Sequence, residues 1–351
     1  MARKNPSRKC NLGSVRSTLR KMNYGLVGET SAVQICRWTK NSLRGDRGCW
    51  KEKFYGISSA GCVQMTPSVM WCENSCLHCW RPIEMNLGTE LPVVDSPTEI
   101  LDGIIMKRRE MLMGIKGNKK VDAKNFEEMI SPKLFTMSLS GEATLYPRLG
   151  EMFSEIRRRG GVSFLVTNGL NPEALQKLEK DGLPTQLVIS TNAPNEKLFS
   201  QWHRSTKVEA WNVFLKSLDV MRKLKGKVRR VIRLTLVKKG SDGEFCEMTN
   251  MSEENLDEYV SLIKRAEPDF VHVKGYKAVG FARKRMGYDK QVWHGEVLEF
   301  ARKLLERLNC VGGAHALHGG LAVEWELGAE DERSCVVALV RRGVGMRITS
   351  Y

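Results

Sequence analysis

The chain has 351 residues, of which 42% are hydrophobic and 27% are charged, and this composition is ordinary for a globular protein. Lys and Arg outnumber Asp and Glu by 56 to 40, which gives a net charge of +16 and favours an anionic partner such as nucleic acid. No apolar run reaches the ~18 residues needed to cross a bilayer, and the basic N-terminus lacks the apolar segment of a secretory signal, so a cytoplasmic location without a membrane partner is expected.

The chain divides into three predicted regions. Residues 1–61 form an N-terminal extension: 1–21 are polar and basic, typical of a mobile arm or a first helix, and 23–61 are expected to wrap another domain. Residues 62–309 alternate short β-branched runs with amphipathic segments. Residues 310–351 form a C-terminal extension whose two extended runs, 321–327 and 335–341, are expected to close or flank a sheet edge.

Six strand–helix repeats are predicted in the central region. The predicted strands are 62–65, 134–139, 162–166, 186–190, 228–237 and 270–273. The predicted helices are 98–112, 148–159, 172–180, 210–224, 255–266 and 292–308. Because right-handed crossovers place the helices on one side of a parallel sheet, we predict an α/β fold, a partial (βα)6 barrel of the TIM type with ligands at the strand C-termini.

Three cysteines follow the first predicted barrel strand in a CxxxCxxC run, Cys72, Cys76 and Cys79. Three thiolates at this spacing can bind a 4Fe-4S cluster and leave one iron without a protein ligand. That open iron suits the amino and carboxylate groups of S-adenosylmethionine (SAM), whose reductive cleavage yields a 5′-deoxyadenosyl radical. The pattern therefore indicates the radical-SAM arrangement. Structural zinc, with His78 as a fourth ligand, is the alternative.

A second cysteine trio lies upstream of the first. Cys36, Cys49 and Cys62 are separated by twelve residues each time, and three further thiols beside an iron–sulfur motif favour a second cluster with one open iron. The remaining cysteines stand alone and are interpreted as buried or incidental thiols: Cys10, Cys246, Cys310 and Cys335.

Long stretches of the chain resemble the tRNA 4-demethylwyosine synthase family. The resemblance rests on the paired Cx12Cx12C and CxxxCxxC motifs, on KFYGI and on WC…CxxCWRP. It extends through SLSGEATLYP, RLTLVKKG and VKGYKAVGFARKRM, so it covers most of the chain. Three positions depart from the pattern: Arg37 replaces His, His78 replaces Phe or Tyr at the expected adenine contact, and Asn192 replaces Asp.

The resemblance implies a partial-barrel enzyme with two 4Fe-4S clusters and SAM. Such enzymes act on N1-methylguanosine at position 37 of tRNA-Phe and use pyruvate as the second carbon source. The adenosyl radical takes a hydrogen from the N1-methyl group, and the resulting methylene radical attacks the pyruvate carbonyl carbon. Loss of the pyruvate carboxyl carbon and ring closure then build the tricyclic base.

The family places a Schiff-base lysine two residues after the middle cysteine of the first motif, which is Lys51 here. A metal or cationic neighbour would disfavour its ammonium form and free the amine as a nucleophile. Lys53 and Lys40 are competitors. The remaining expected cofactor contacts follow predicted strands or lie within them, and they are Ser140, Gly141, Glu142, Asn168, Ser190, Arg233 and His78.

Partners follow from the same resemblance. Only 35 residues precede Cys36, too few for the flavodoxin-like domain of eukaryotic relatives, so a stand-alone archaeal form is expected. It would need an external electron donor, a ferredoxin or flavodoxin, and is expected to be a monomer. Trp202 and Trp211 are candidates to stack on a splayed base, with core packing as the alternative. Two further hypotheses are another two-cluster radical-SAM enzyme and a zinc-stabilised RNA-binding protein.

Overall fold

A computed structural model describes residues 11–115, 117, 120–121, 123–310 and 325–349. The basic arm before residue 11, Cys10 and the first part of the predicted 321–327 strand lie outside the described residues. Within the described part, ten strands form one sheet in the order β1-β2-β3-β4-β5-β6-β7-β8-β10-β9. The strands are β1 Gly25–Val27, β2 Ser31–Gln34, β3 Cys62–Thr66, β4 Leu134–Met137, β5 Val162–Thr167, β6 Gln186–Ser190, β7 Arg229–Leu236, β8 Phe270–Gly275, β9 Trp325–Asp331 and β10 Val336–Arg341.

The six central strands, β3 to β8, pair in parallel and in chain order. Each crossover carries at least one helix, so the predicted α/β architecture with six strand–helix repeats is confirmed. The helices are α1 Leu12–Lys21, α2 Arg37–Leu43, α3 Trp50–Tyr55, α4 Pro97–Met113, α5 Ala123–Ile130, α6 Leu149–Arg158, α7 Pro172–Asp181, α8 Glu196–His203, α9 Ala210–Lys223, α10 Glu253–Ala266, α11 Gly280–Met286 and α12 His294–Asn309.

Local sequence signals explain the helix starts. Ser96 caps α4 in a reciprocal capping box with Glu99, and Pro97 occupies the first turn, where its missing N–H costs nothing. At α7 the Asn171 side chain accepts a hydrogen bond from the Ala174 N–H, and Pro172 again occupies the first turn. None of the helices in the described ranges is both long and apolar enough to span a bilayer.

The N-terminal extension differs from its prediction, whereas the C-terminal extension flanks a sheet edge as expected. Residues 23–61 do not simply wrap the barrel: β1 and β2 join the sheet as antiparallel strands on the β3 edge. At the opposite edge β10 pairs antiparallel with β8, and β9 pairs with β10. The described part of β9 runs from Trp325 to Asp331 and so extends four residues beyond the end of the predicted 321–327 strand. Each extension thus adds two antiparallel strands to one edge of the sheet, and their pairing covers that edge.

Alternate residues of the parallel strands face opposite sides, as the two-residue period of a strand requires. One set packs under the helices in the main core, for example Met65, Leu165 and Val273. The other set faces inward. There the aromatic residues of α3, Phe54 and Tyr55, pack with the amino-terminal ends of the strands and fill the lower half of the barrel. The upper half is left as a cavity.

Candidate active site

A cavity of about 760 Å³ lies inside the curved sheet. Every parallel strand contributes to its wall, from Gln64 on β3 to Lys274 on β8, so the sheet bends around it. All fourteen residues that the sequence assigns to the site line this one cavity. They are Cys36, Cys49, Lys51, Cys62, Cys72, Cys76, His78, Cys79, Ser140, Gly141, Glu142, Asn168, Ser190 and Arg233.

The loop after β3 carries the trio Cys72, Cys76 and Cys79, and backbone contacts fix its shape. The Leu77 N–H donates to the Trp202 carbonyl at 3.0 Å, and the Cys72 N–H donates to the Gly88 carbonyl at 2.9 Å. The Arg285 guanidinium donates to the Cys79 carbonyl from the opposite side of the barrel mouth. These contacts hold the three thiols above the strand ends, where ligands of α/β barrels bind.

The second trio is built from two helix starts and one strand start. Cys36 is the N-cap of α2, and its sulfur accepts a hydrogen bond from the Thr39 N–H at 3.4 Å. Cys49 is the N-cap of α3, and its N–H donates to the Ser59 hydroxyl at 2.6 Å. Cys62 is the first residue of β3. The equal spacing in the sequence therefore corresponds to three element boundaries that meet at one cavity wall.

All six cysteines are free thiols, and burial raises the pKa of four of them. It raises the pKa of Cys49 to about 11 and raises those of Cys72 and Cys79 above the ordinary thiol value. Thiolates here would therefore need a nearby cation, such as the iron of a cluster. No three His, Cys, Asp or Glu side chains among the described residues are close enough to share one metal ion. An iron–sulfur cluster does not require that, because each thiolate binds a different iron.

Lys51 lies near the floor of the cavity at the start of α3. Its Nζ donates to the Thr136 hydroxyl at 3.1 Å and lies 3.9 Å from the Cys62 sulfur. Burial lowers the pKa of Lys51, but the thiolates of Cys62, Cys49 and Cys36 raise it, and it lies above its ordinary value. This direction is opposite to the one expected from a metal neighbour.

The two competing lysines lie elsewhere. Lys40 and Lys53 are exposed, and neither lines the cavity. Position, rather than acidity, therefore separates Lys51 from its neighbours in the sequence.

The Ser140-Gly141-Glu142 turn follows β4 and packs against the cysteine loop. Gly141 has φ +81°, and a Cβ there would overlap the Ser68 carbonyl oxygen and lie 2.8 Å from that of Trp71. The glycine is thus required by close contact with the cysteine loop itself. The Glu142 N–H donates to the Trp71 carbonyl at 2.7 Å. The turn and the loop are held as one unit.

Glu142 is buried and its carboxylate is almost fully occupied. Oε1 accepts hydrogen bonds from the Thr144 N–H, the Thr144 hydroxyl and the Thr167 hydroxyl, and Oε2 accepts one from the Asn168 N–H. Burial and the nearby Glu73 raise the pKa of Glu142 to about 7. Each carboxylate oxygen has two lone-pair sites, and Oε2 accepts only one hydrogen bond, so it keeps one site for a ligand.

The remaining predicted contacts lie on neighbouring strand ends. The Asn168 side-chain amide donates to Glu73 at 3.1 Å and lies 3.7 Å from the Cys72 sulfur. Arg233 donates to the Ser190 hydroxyl at 2.7 Å, and burial lowers the pKa of Arg233 to about 10. Both pairs face the cavity.

His78 has both ring nitrogens engaged. Its Nδ1 accepts a hydrogen bond from the Trp202 indole, and its Nε2 lies 3.2 Å from the Asn192 amide. The ring is therefore held by side chains and not aimed at a shared metal ion. Trp202 is fully buried and Trp211 stacks on Phe214, so the core-packing alternative for these two tryptophans is confirmed.

Several buried polar atoms that line the cavity have no hydrogen-bond partner within the described structure. They include Arg233 Nε, His203 Nε2, Asn192 Oδ1 and both side-chain polar atoms of Asn74. Buried donors and acceptors are normally satisfied, so these atoms mark places for polar ligand groups. Together with the thiols, they fit an iron–sulfur cluster and a polar, partly anionic cofactor such as SAM.

Sequence reasoning missed the charged residues of the far wall. Lys274 on β8 lines the cavity, and burial and nearby Arg233 lower its pKa to about 8. Lys277 also lines the cavity and donates to the Cys335 sulfur at 2.8 Å. The signal was present: His272 and Lys274 alternate with Val271 and Val273, and a polar residue at every second position marks the inward face.

Comparison with known proteins agrees with this geometry. A family model for the radical SAM superfamily matches residues 66–252, and one for wyosine base formation matches residues 265–341. The chain is 43% identical over 296 residues to the S-adenosyl-L-methionine-dependent tRNA 4-demethylwyosine synthase of Pyrococcus abyssi, covering 84% of this chain and 83% of that one. It is 34% identical to the Methanocaldococcus jannaschii synthase over 82% of this chain and 88% of that one.

A solved structure of TYW1 with a lysine-pyruvate adduct bound is also similar, with a TM-score of 0.76 and 28% identity. The similarity covers 95% of this chain and 98% of that one. The resemblance found in the motifs is thus confirmed by sequence and by fold. This chain is a radical-SAM enzyme and belongs to the tRNA 4-demethylwyosine synthase family.

Proposed function

We propose that this enzyme condenses N1-methylguanosine at position 37 of tRNA-Phe with pyruvate to form 4-demethylwyosine. The observation that carries the proposal is the convergence of both cysteine trios and Lys51 on one cavity. One trio and SAM would suffice to start radical chemistry. The second trio and an inward-facing amine are needed only if a second substrate is held beside the first.

In this proposal one cluster binds SAM and is held by Cys72, Cys76 and Cys79. The auxiliary cluster is held by Cys36, Cys49 and Cys62. When bound, the first cluster and SAM supply a 5′-deoxyadenosyl radical. The protein's part is to keep both trios on the wall of a shared space that excludes bulk water. It does so by building one trio on a loop clamped by the barrel mouth and the other on helix and strand starts.

Lys51 is proposed to bind pyruvate covalently. Its neutral amine attacks the carbonyl carbon, a carbinolamine forms, and water leaves to give an imine. The Thr136 hydroxyl, 3.1 Å from Nζ, positions the amine, and the Phe164 ring, whose centroid lies 5.8 Å from Nζ, shields it from the strand side. The TYW1 structure with a lysine-pyruvate adduct supports this step by similarity.

The far wall would hold anionic groups. Arg233, Lys274 and Lys277 line it, and the unpartnered Nε of Arg233 is a free charge-assisted donor in the described structure. We propose that these groups bind the carboxylates of pyruvate and SAM. Lys274 is also the structural competitor of Lys51, because its lowered pKa makes its free amine more available.

The loops at the strand ends are proposed to bind SAM. The open acceptor site on Glu142 Oε2 suits the SAM ammonium, and Ser140 and Gly141 shape the turn beside it. Asn168, Ser190 and His78 complete the wall. A ligand cation beside Glu142 would favour its carboxylate form, against the effect of burial.

The wider setting of the reaction is part of the proposal. Electrons come from a separate ferredoxin or flavodoxin, and the enzyme acts as a cytoplasmic monomer in which residues 62–309 form the catalytic barrel. The test is anaerobic incubation with SAM, pyruvate, a reductant and N1-methylated tRNA, followed by mass analysis of the nucleosides. Formation of 4-demethylwyosine that depends on pyruvate supports the proposal. Cleavage of SAM without a tricyclic base would reject it.

A further inference from the structure

Few aromatic rings are exposed in the described part of the chain, and those few lie along one edge of the cavity. Among the large hydrophobic side chains exposed in the described ranges, the aromatic ones are Trp80, Tyr288 and Trp293. Their exposed fractions are 38%, 55% and 53%. Leaving a ring in water gives up the free energy of burying it, so three together need a reason. We call these three residues the aromatic rim.

Each ring of the aromatic rim has a basic side chain against it. The Arg81 guanidinium lies 3.1 Å from the Trp80 ring centroid, and that of Arg283 lies 5.4 Å from the Tyr288 ring. The third cation is Lys277, whose Nζ lies 5.2 Å from the Trp293 ring. All three pairs fall within the range of a cation–π contact. Arg81 is buried beneath Trp80, whereas Arg283 is exposed and Lys277 is half-buried, so the rim presents ring and positive charge together at Tyr288 and Trp293.

The aromatic rim borders the mouth of the cavity. Trp80 lines the cavity, and so does Lys277, which contacts Trp293. Tyr288 follows Gly287, whose carbonyl accepts a hydrogen bond at 3.4 Å from Tyr276 of the cavity wall.

The two sides of the rim are joined to each other. The Phe281 N–H donates to the Trp80 carbonyl at 3.1 Å, which ties the cysteine loop to the segment after β8. Val279 lines both the cavity and a shallow depression that contains Arg283 and Lys284. A ligand that reaches into the cavity must pass this edge.

We propose that the aromatic rim is a stacking platform for unpaired RNA bases that flank the methylated guanine. The inference rests on the proposed function and adds to it the surface that grips the RNA. Proteins that bind single-stranded RNA stack splayed bases on aromatic rings and neutralise the adjacent phosphates with Arg and Lys. The geometry here supplies both, beside the cavity that must receive one base.

An acidic electron-transfer protein is the other partner that a basic rim could attract. The pairing of every exposed ring with a cation favours RNA, because bases offer a π-face and phosphates offer charge at matching spacing. The protein's net charge of +16 attracts either anionic partner and does not separate the two.

The test measures binding of a labelled anticodon stem-loop of tRNA-Phe that carries N1-methylguanosine, by fluorescence anisotropy, with holoenzyme. Trp293→Ala and Tyr288→Ala should each weaken binding by roughly 5- to 150-fold, the usual cost of one base–aromatic stack. Trp293→Phe should restore most of the affinity. Met106→Ala, at an exposed position on the outer helix α4, is the matched control and should bind like the unaltered protein.

The salt dependence of RNA binding distinguishes the contribution of charge from that of base stacking. Arg283→Gln should reduce the slope of log affinity against log salt by about one, whereas Trp293→Ala should leave the slope unchanged. A fully paired RNA duplex of equal length should bind more weakly and be insensitive to Trp293→Ala, because its bases are not free to stack. Iron content and circular dichroism are measured to confirm that each variant is folded. If Trp293→Ala is misfolded, Tyr288→Ala is compared with the unaltered protein in its place.

Two results would overturn the proposal. One is equal binding of the stem-loop by folded Trp293→Ala, Tyr288→Ala and the unaltered protein. The other is unchanged RNA binding combined with loss of flavodoxin-driven, but not dithionite-driven, SAM cleavage, which would assign the rim to the electron donor. Failure of the proposed function is distinct: the unaltered protein would make no tricyclic base while its RNA binding still depended on the rim.

Discussion

Replacing Lys51 by methionine tests the chemistry most directly. Methionine keeps the apolar stem and removes only the amine, so the fold loses one hydrogen bond to Thr136, worth about 1 kcal/mol. Removal of a covalent nucleophile lowers turnover by on the order of 10⁴-fold or more. We expect Lys51→Met to keep its iron and lose product almost completely.

The structure also says which amine could replace it. Lys274 also lines the cavity and, unlike Lys51, has a pKa lowered to about 8. With a pKa of about 8 instead of 10.5, roughly one molecule in ten has a free Lys274 amine at pH 7, against about three in ten thousand for an ordinary lysine. Availability alone would therefore favour Lys274, and position favours Lys51.

The assay is reductive trapping. The enzyme is incubated with pyruvate and cyanoborohydride, digested, and the modified lysine is located by mass spectrometry. We expect the adduct on Lys51, its loss in Lys51→Met, and its retention in Lys274→Met. Lys53→Ala, an exposed lysine of the same helix, is the matched control and should trap pyruvate normally. An adduct that survives Lys51→Met and disappears in Lys274→Met would refute the assignment.

Three further predictions follow from the site and its supports. Cys49→Ala should lower iron and sulfide by about half, measured by chemical assay, while SAM cleavage survives, because the two trios bind separate clusters; unchanged iron would contradict this. Gly141→Ala should destabilise the fold by about 2–5 kcal/mol through backbone strain and overlap with the Ser68 carbonyl, measured by urea unfolding. Gly226→Ala, with φ +76° in open space, should show only the strain, about 1–2 kcal/mol. Lys274→Met should raise the apparent free energy of unfolding by about 3 kcal/mol at pH 7, because the folded-state pKa of about 8 lies below 10.5. Between pH 8 and 10.5 the unfolded chain binds more protons than the folded one, so the free energy of unfolding of the unaltered protein should rise with pH over this range. The variant should show no such rise. Equal pH profiles for the two proteins would count against a buried, charged Lys274.

Periodicity made the barrel predictable. The runs at 162–166 and 186–190 are short, β-branched and bounded by turn residues, and the structure has strands at Val162–Thr167 and Gln186–Ser190. The cap before α4 was equally clear from Ser96 and Pro97. These signals are local, since they depend on side-chain spacing within one element.

The extensions were harder to predict for the same reason. Strand β1 has three residues and β2 has four, too few for a period to be seen. Strand β2 pairs with β3, and β1 pairs with β2, so their place is decided by the free edge of a sheet that lies further along the chain. A short stretch of sequence around β1 and β2 carries no information about that edge.

The sequence by itself determined the chemistry that this chain carries: two thiol trios, their spacing, and a lysine two residues after Cys49, because ligand type and spacing are local properties. Only the tertiary structure decided which of these side chains come into contact. It placed Lys274 and Arg233 opposite Lys51, joined Gly141 to the cysteine loop, and put three exposed rings beside three cations at the cavity mouth. Those neighbours come from strands and loops far apart in the chain. Their proximity depends on the curvature of the closed-in sheet, which no single stretch of sequence encodes.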